Sequence, residues 1–179
     1  MANGSRMAKE VTAIYPGSFD PVTNGHVDIM KRSSSIFDRV IVAVLLNLDK
    51  EPLFTLDERV QMLEEATRSW DNIEVDTFDG LLVNYAVKNR ARVILRGIRA
   101  VTDYEFELQM ALMNRTMQPD IETIFMMPSG DYSYLSSSLV KEVFSLGGSV
   151  NGLVPTIVET YLEGARERVR PSQSESPSG

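Results

Sequence analysis

The residues best suited to chemistry gather in one short segment, Tyr15-Pro16-Gly17-Ser18-Phe19-Asp20-Pro21-Val22-Thr23-Asn24-Gly25-His26. It follows an apolar run and leads into a helical pattern, the setting that a phosphate loop requires. Gly17 and Gly25 let the backbone approach a ligand closely. A helix starting near Gly25 turns free N–H groups and the positive end of its dipole toward an anion. His26, the single histidine of the chain, stands at that start. An isolated Gly-x-His reads as a turn beside a satisfied surface histidine. Thr23-Asn24-Gly25-His26 directly after a Gly-Ser-Phe-Asp-Pro turn is much more specific.

Three cations and a serine run extend the pattern. Arg96-Gly97-Ile98-Arg99 follows a buried-strand run, at the end where an open parallel sheet binds ligands. Arginine forks suit bidentate phosphate contacts. Lys50 lies in Leu48-Asp49-Lys50-Glu51-Pro52 after another such run, and taken alone it is a solvated loop residue. Ser136-Ser137-Ser138 reads as a helix cap. Hydroxyls and N–H groups at that helix start can also meet phosphates, and both uses can hold.

These residues need a scaffold that brings loop ends together. Val11–Tyr15, Val40–Leu46 and Arg92–Leu95 are continuous apolar runs, as in parallel strands covered on both faces. Ile73–Phe78 and Glu122–Met127 are weaker runs of the same kind. Leu56, Val60, Leu63 and Ala66 recur at helical spacing behind a Thr55/Glu58 capping box. Tyr104, Leu108, Ala111 and Leu112 form another stripe, and Leu82, Tyr85 and Ala86 a shorter one. A helix from Ser136–Ser138 through Leu146 ends at Gly147-Gly148. A last helix runs from Pro155, in its first turn, to about Val169. The alternation predicts an α/β fold: a Rossmann-like, doubly wound, five-stranded parallel sheet in a single domain.

Composition sets limits on function. The chain has 179 residues, 43% of them hydrophobic and 24% charged, which fits one globular domain. It has no cysteine, which removes disulfides, thiolate metal sites and cysteine nucleophiles. A formal net charge of −7 argues against broad nucleic-acid binding but not against a small polyanion. The longest apolar run is too short to cross a bilayer, so no membrane association is expected. Residues 1–6 read as an expression leader, 7–169 as the domain and 170–179 as a disordered tail.

Thr23-Asn24-Gly25-His26 resembles the Thr/His-x-Gly-His signature of the nucleotidyltransferase superfamily. The longer segment, with Leu95–Glu107, Met113-Asn114-Arg115 and Ser133–Glu142, resembles the bacterial phosphopantetheine adenylyltransferase family over roughly residues 10–165. Leu135-Ser136-Ser137-Ser138 is similar to the second superfamily signature, with Leu where Ile is common. Ser18 stands where threonine is common. The hydroxyl survives and a methyl is lost.

The resemblance implies adenylyl transfer from ATP to the phosphate of 4′-phosphopantetheine, giving dephospho-coenzyme A and pyrophosphate. The substrate phosphate is itself the nucleophile. The catalytic residues implied are His26, Lys50 and Arg99. Ser18, Lys50, Leu81, Leu82, Arg96, Asn114 and Glu142 would bind phosphopantetheine. On residue type alone, Leu81 and Leu82 are core residues, and Asn114 and Glu142 lie on the surface. ATP would meet Gly17, Ser18, Phe19, Gly25 and His26, then Gly97, Ile98, Arg99 and Glu107, and finally Tyr132, Ser133, Tyr134, Leu135, Ser136, Ser137 and Ser138. Glu107 is as readily an exposed helical glutamate.

No cluster reads as a metal cage, so magnesium would arrive with ATP. The resemblance further implies a cytoplasmic homohexamer restrained by coenzyme A. Two rivals remain open: a nucleotidyltransferase for nicotinate mononucleotide or a polyol phosphate, and a nucleotide-sensing or RNA-binding module without catalysis.

Overall fold

A computed structural model describes residues 10–46, 52–99 and 101–166 of the chain, without the side chains of 101–103. Lys50, residues 1–6 and the 170–179 segment lie outside the described residues.

Five strands form one parallel sheet: β1 (Thr12–Gly17), β2 (Arg39–Leu45), β3 (Ile73–Phe78), β4 (Val93–Gly97) and β5 (Glu122–Met126). Their order is β3-β2-β1-β4-β5. The chain therefore winds outward from β1 in one direction, then crosses back to β4 and continues in the other. β1 and β4 flank the switch point, and the crevice beyond their carboxyl ends is where such sheets hold ligands. The central strands are sealed on both faces: Ile14, Val40, Val42 and Ile94 have no exposed surface. This explains why their sequences run apolar without alternation. β3 and β5, at the sheet edges, alternate instead.

Among the described residues, six α-helices connect or follow the strands: α1 (Asn24–Ser34), α2 (Leu56–Thr67), α3 (Leu82–Lys88), α4 (Val101–Met117), α5 (Ser137–Ser145) and α6 (Thr156–Gly164). The α2 capping box forms as its sequence predicts, with Thr55 and Glu58 each bonding the other's backbone. Ser136 caps α5 by accepting from the Leu139 N–H, and Gly147 leaves the helix with φ +81. α6 begins one residue after Pro155, which serves as its cap rather than a first-turn residue.

α4 departs from the stripe read in the sequence. Tyr104 and Leu112 are 44% and 57% exposed, and among the described side chains of this helix the best buried is Asn114 at 6%. Apolar residues lie all around α4, so periodicity alone could not select its inner face. No described helix is long and apolar enough to cross a membrane.

Candidate active site

The β1–α1 loop builds the first wall. Thr23 caps α1, and His26 occupies the position three residues on. A capping box usually places Glu or Gln there. Here the imidazole takes that part: the Thr23 N–H donates to Nδ1 of His26 over 3.0 Å. Nδ1 is thereby an acceptor, so the proton of the neutral ring sits on Nε2. Burial and, secondarily, the Arg99 charge push the His26 pKa down to about 4. The ring is neutral near pH 7 and has one N–H left to offer.

Phe19 fixes the ring from the side, edge-to-face at 5.2 Å between centroids. Phe19 is 2% exposed and sits at φ 46, a left-handed conformation that costs a bulky residue on the order of 1–3 kcal/mol. Its packing against Tyr15 and His26 holds it there. Gly17 permits that packing, since a Cβ would stand 2.9 Å from the Phe19 ring.

The second wall comes from the β4 end. Arg96 is held by Glu107 of α4 through paired bonds, Nε to Oε2 at 2.6 Å and Nη2 to Oε1 at 2.5 Å. Arg99 donates to the Leu135 carbonyl over 3.1 Å. Gly97 is needed for close approach: a Cβ there would meet Ile29 at 2.9 Å and the Tyr15 hydroxyl at 3.4 Å.

The third wall is the start of α5. The Ser136 hydroxyl is the cap, and the Ser137 hydroxyl donates to the Pro21 carbonyl over 2.7 Å. Ser138 is exposed. Asp28 of α1 accepts from the Ser129 N–H at 3.0 Å, and Arg32 donates to the Met127 carbonyl. These bonds place Pro128 against the same space.

The walls enclose a largely polar cavity of about 320 Å³. Ser18, Phe19, Gly25, His26, Gly97 and Arg99 line it, with Tyr132, Leu135 and Ser136–Ser138. A second cavity, of about 430 Å³, lies between the sheet edge and α4. Its lining is mainly apolar and includes Leu81, Leu82, Met110, Met113 and Asn114. Arg96 and Pro16 border both cavities.

Some expected residues stand elsewhere. Gly17 and Glu107, expected beside the nucleotide, line the apolar cavity instead. The carboxylate of Glu107, on α4, is committed to Arg96 at the end of β4. Ile98, Ser133, Tyr134 and Glu142 line neither cavity. Tyr134 is 60% exposed, and the Ser133 hydroxyl donates back to the Gly130 carbonyl. The Ser133-Tyr134 pair lies in the loop before α5, between Tyr132 and Leu135, which do line the polar cavity.

Tyr15, Asp20, Thr23 and Lys141 fall within the motifs read in the sequence but were given no role there, and Arg59 fell outside them. Tyr15 lines the polar cavity, and burial raises its phenol pKa, keeping it protonated. Arg59 of α2 is buried at 6% and donates to the Ser18 carbonyl over 2.9 Å. The capping role of Thr23 was legible from a hydroxyl three residues before His26. The pairing of Arg59 with Ser18 had no local signal.

Among the described residues, no group of three or more acidic or histidine side chains is placed to hold a metal ion. Among the described residues, no carboxylate lines the polar cavity. The donor set suits phosphate oxygens: neutral imidazole N–H, guanidinium, hydroxyls and helix-start amides.

A parallel sheet with a polar cleft at its switch point defines a class, and comparison with known proteins agrees. The family model described as cytidylyltransferase-like matches residues 14–143. A solved structure from Vibrio parahaemolyticus, provisionally described as a nicotinate-nucleotide adenylyltransferase, superposes with a TM-score of 0.65 at 15% identity. It covers 89% of this chain and 96% of its own, and shows the shared fold. The phosphopantetheine adenylyltransferase of Alkaliphilus metalliredigens is 59% identical over 145 residues, covering 81% of this chain and 92% of the relative. That of Caldanaerobacter subterraneus subsp. tengcongensis is 58% identical over 150 residues, covering 84% and 94%. The chain belongs to the phosphopantetheine adenylyltransferase family, and it is an enzyme of the nucleotidyltransferase class.

Proposed function

We propose that the chain transfers the adenylyl group of ATP to 4′-phosphopantetheine, giving dephospho-coenzyme A and pyrophosphate, a step of coenzyme A biosynthesis. The observation that carries this reading is Arg96 on the border of a polar and an apolar cavity. The polar cavity suits the triphosphate. The apolar one suits an extended, mostly uncharged arm, with the Asn114 amide for its polar groups. Its mainly apolar lining favours such an arm over a second nucleotide, and so speaks against the nicotinate mononucleotide reading.

The chemistry is one in-line displacement. An oxygen of the acceptor phosphate attacks the α-phosphorus of ATP. A new P–O bond forms as the α–β bridge breaks, and pyrophosphate leaves with the bond electrons. No serine or cysteine nucleophile is required. The work of the protein is placement and charge stabilisation. The Nε2–H of His26 donates to the α-phosphate, where charge is redistributed. Arg99, Ser18 and the α5 start hold the ATP phosphates. Arg96 and Lys50 grip the acceptor phosphate, so Lys50→Ala should weaken use of phosphopantetheine above all.

Magnesium enters with ATP and neutralises its phosphate oxygens. Coenzyme A carries the same arm and a nucleotide, so it competes for both cavities. The apolar side chains of α4 left open outside the apolar cavity, Tyr104 and Leu112 at 44% and 57% exposure, favour a homo-oligomer, a hexamer by family resemblance. The setting we assign is the cytoplasm. Mixing the protein with ATP, magnesium and 4′-phosphopantetheine and following pyrophosphate tests the reading. Release that depends on the acceptor supports it. ATP binding without pyrophosphate would favour a non-catalytic module.

A further inference from the structure

Asp20 is 6% exposed in the loop that leads to His26, yet it does not line the polar cavity. It stands behind the wall and accepts three hydrogen bonds. Two come from backbone N–H groups, Leu53 at 3.0 Å and Phe54 at 2.9 Å. The third comes from Nζ of Lys141 at 2.7 Å. Lys141 lies on α5, one turn beyond Ser137, and the Ser137 hydroxyl donates to the carbonyl of Pro21, the neighbour of Asp20. One loop therefore grips α5 at two successive turns.

We propose that the Asp20–Lys141 ion pair is a positioning element for adenylyl transfer. It sets the start of α5 against the β1–α1 loop, so that Ser136–Ser138 and His26 address the same phosphate group. The proposal rests on reading the polar cavity as the ATP phosphate site. Neither residue lines the polar cavity.

The reason is geometric. Val140, fully buried, fixes which face of α5 meets the core. Apolar packing is non-directional and tolerates small slides along the helix axis. A charge-assisted bond has a defined length and direction and does not. Asp20 is the fitting partner because its carboxylate is already fixed by the 53–54 backbone. A displacement of about 1 Å in a catalytic group can cost on the order of 10²-fold in rate. The ion pair is thus placed where a small slide would have a large effect.

The test compares Lys141→Met, Asp20→Asn and Lys141→Arg with the wild type in steady-state kinetics. Arg99→Ala is included as a marker for the cavity itself. Expected for Lys141→Met and Asp20→Asn is a fall in kcat of about 10–10²-fold and a higher KM for ATP. The KM for phosphopantetheine should stay close to wild type; the unfolding midpoint falls with the loss of a buried carboxylate's partner, so kcat is read per folded enzyme. Lys141→Arg should recover most of the rate. A purely structural bond would lower the unfolding midpoint and leave the kcat of the folded fraction intact, and that result overturns the proposal. So does a Lys141→Met enzyme with kcat and ATP KM within twofold of wild type. If Lys141→Met does not fold, the same comparison on Asp20→Asn decides. An Arg99→Ala enzyme with unchanged ATP use would instead sink the cavity reading, separately from the ion pair.

Discussion

The backbone N–H of Thr23 and Nδ1 of His26, 3.0 Å apart, decide which nitrogen of the imidazole faces the cleft. The same bond that caps α1 prepares a hydrogen-bond donor. Because the chain has one histidine, its titration can be watched alone by NMR. The midpoint in the ligand-free protein should fall near 4, well below the ordinary 6.5. An ordinary midpoint would mean that the ring is solvated and that the capping bond does not hold it.

That shift links to stability. The unfolded chain takes up the histidine proton near 6.5, and the folded chain only near about 4. Between those values the unfolded state holds more protons, so acidification favours unfolding. The contribution is fully present above about 6.5 and is lost progressively as the pH falls toward 4. Denaturant titrations of His26→Gln should show a shallower loss over this window than wild type. Equal slopes would remove His26 as the source.

His26→Ala should lower kcat by roughly 10²–10³-fold, the usual size of losing one transition-state donor. Steady-state rates with both substrates saturating check this. Activity within a few-fold of wild type would take the imidazole out of the reaction.

Arg96 is prearranged by Glu107, so its fork reaches the cavity border without searching for a geometry. Arg96→Ala should reduce kcat/KM for phosphopantetheine by about 10–10²-fold, the scale of one or two charge-assisted bonds. ATP binding, followed by calorimetry without the acceptor, should change much less. A loss confined to ATP would exchange the two phosphate assignments.

Much of this molecule was legible in its residues because the same residues specify fold and site. The apolar runs at Val40–Leu46 and Arg92–Leu95 announced buried parallel strands. The strand–Gly–helix order around Gly17 and Gly25 then located the cleft. Short-range geometry was legible too, as at Thr55/Glu58 and Ser136. What stayed hidden depends on distance in sequence. Glu107 pairs with Arg96, Arg59 with Ser18, and Lys141 with Asp20 across 121 positions. None leaves a periodic trace. The inner face of α4 was unreadable for another reason, since its apolar residues point in every direction.

Direct transfer between two phosphates is the centre of the account, and the configuration at the α-phosphorus reports on it. An α-thiophosphate analogue of ATP of known chirality, turned over with 4′-phosphopantetheine, should give product with inverted configuration. One in-line displacement inverts, whereas passage through an adenylylated residue inverts twice. Retention would contradict the account and place a covalent intermediate on the enzyme.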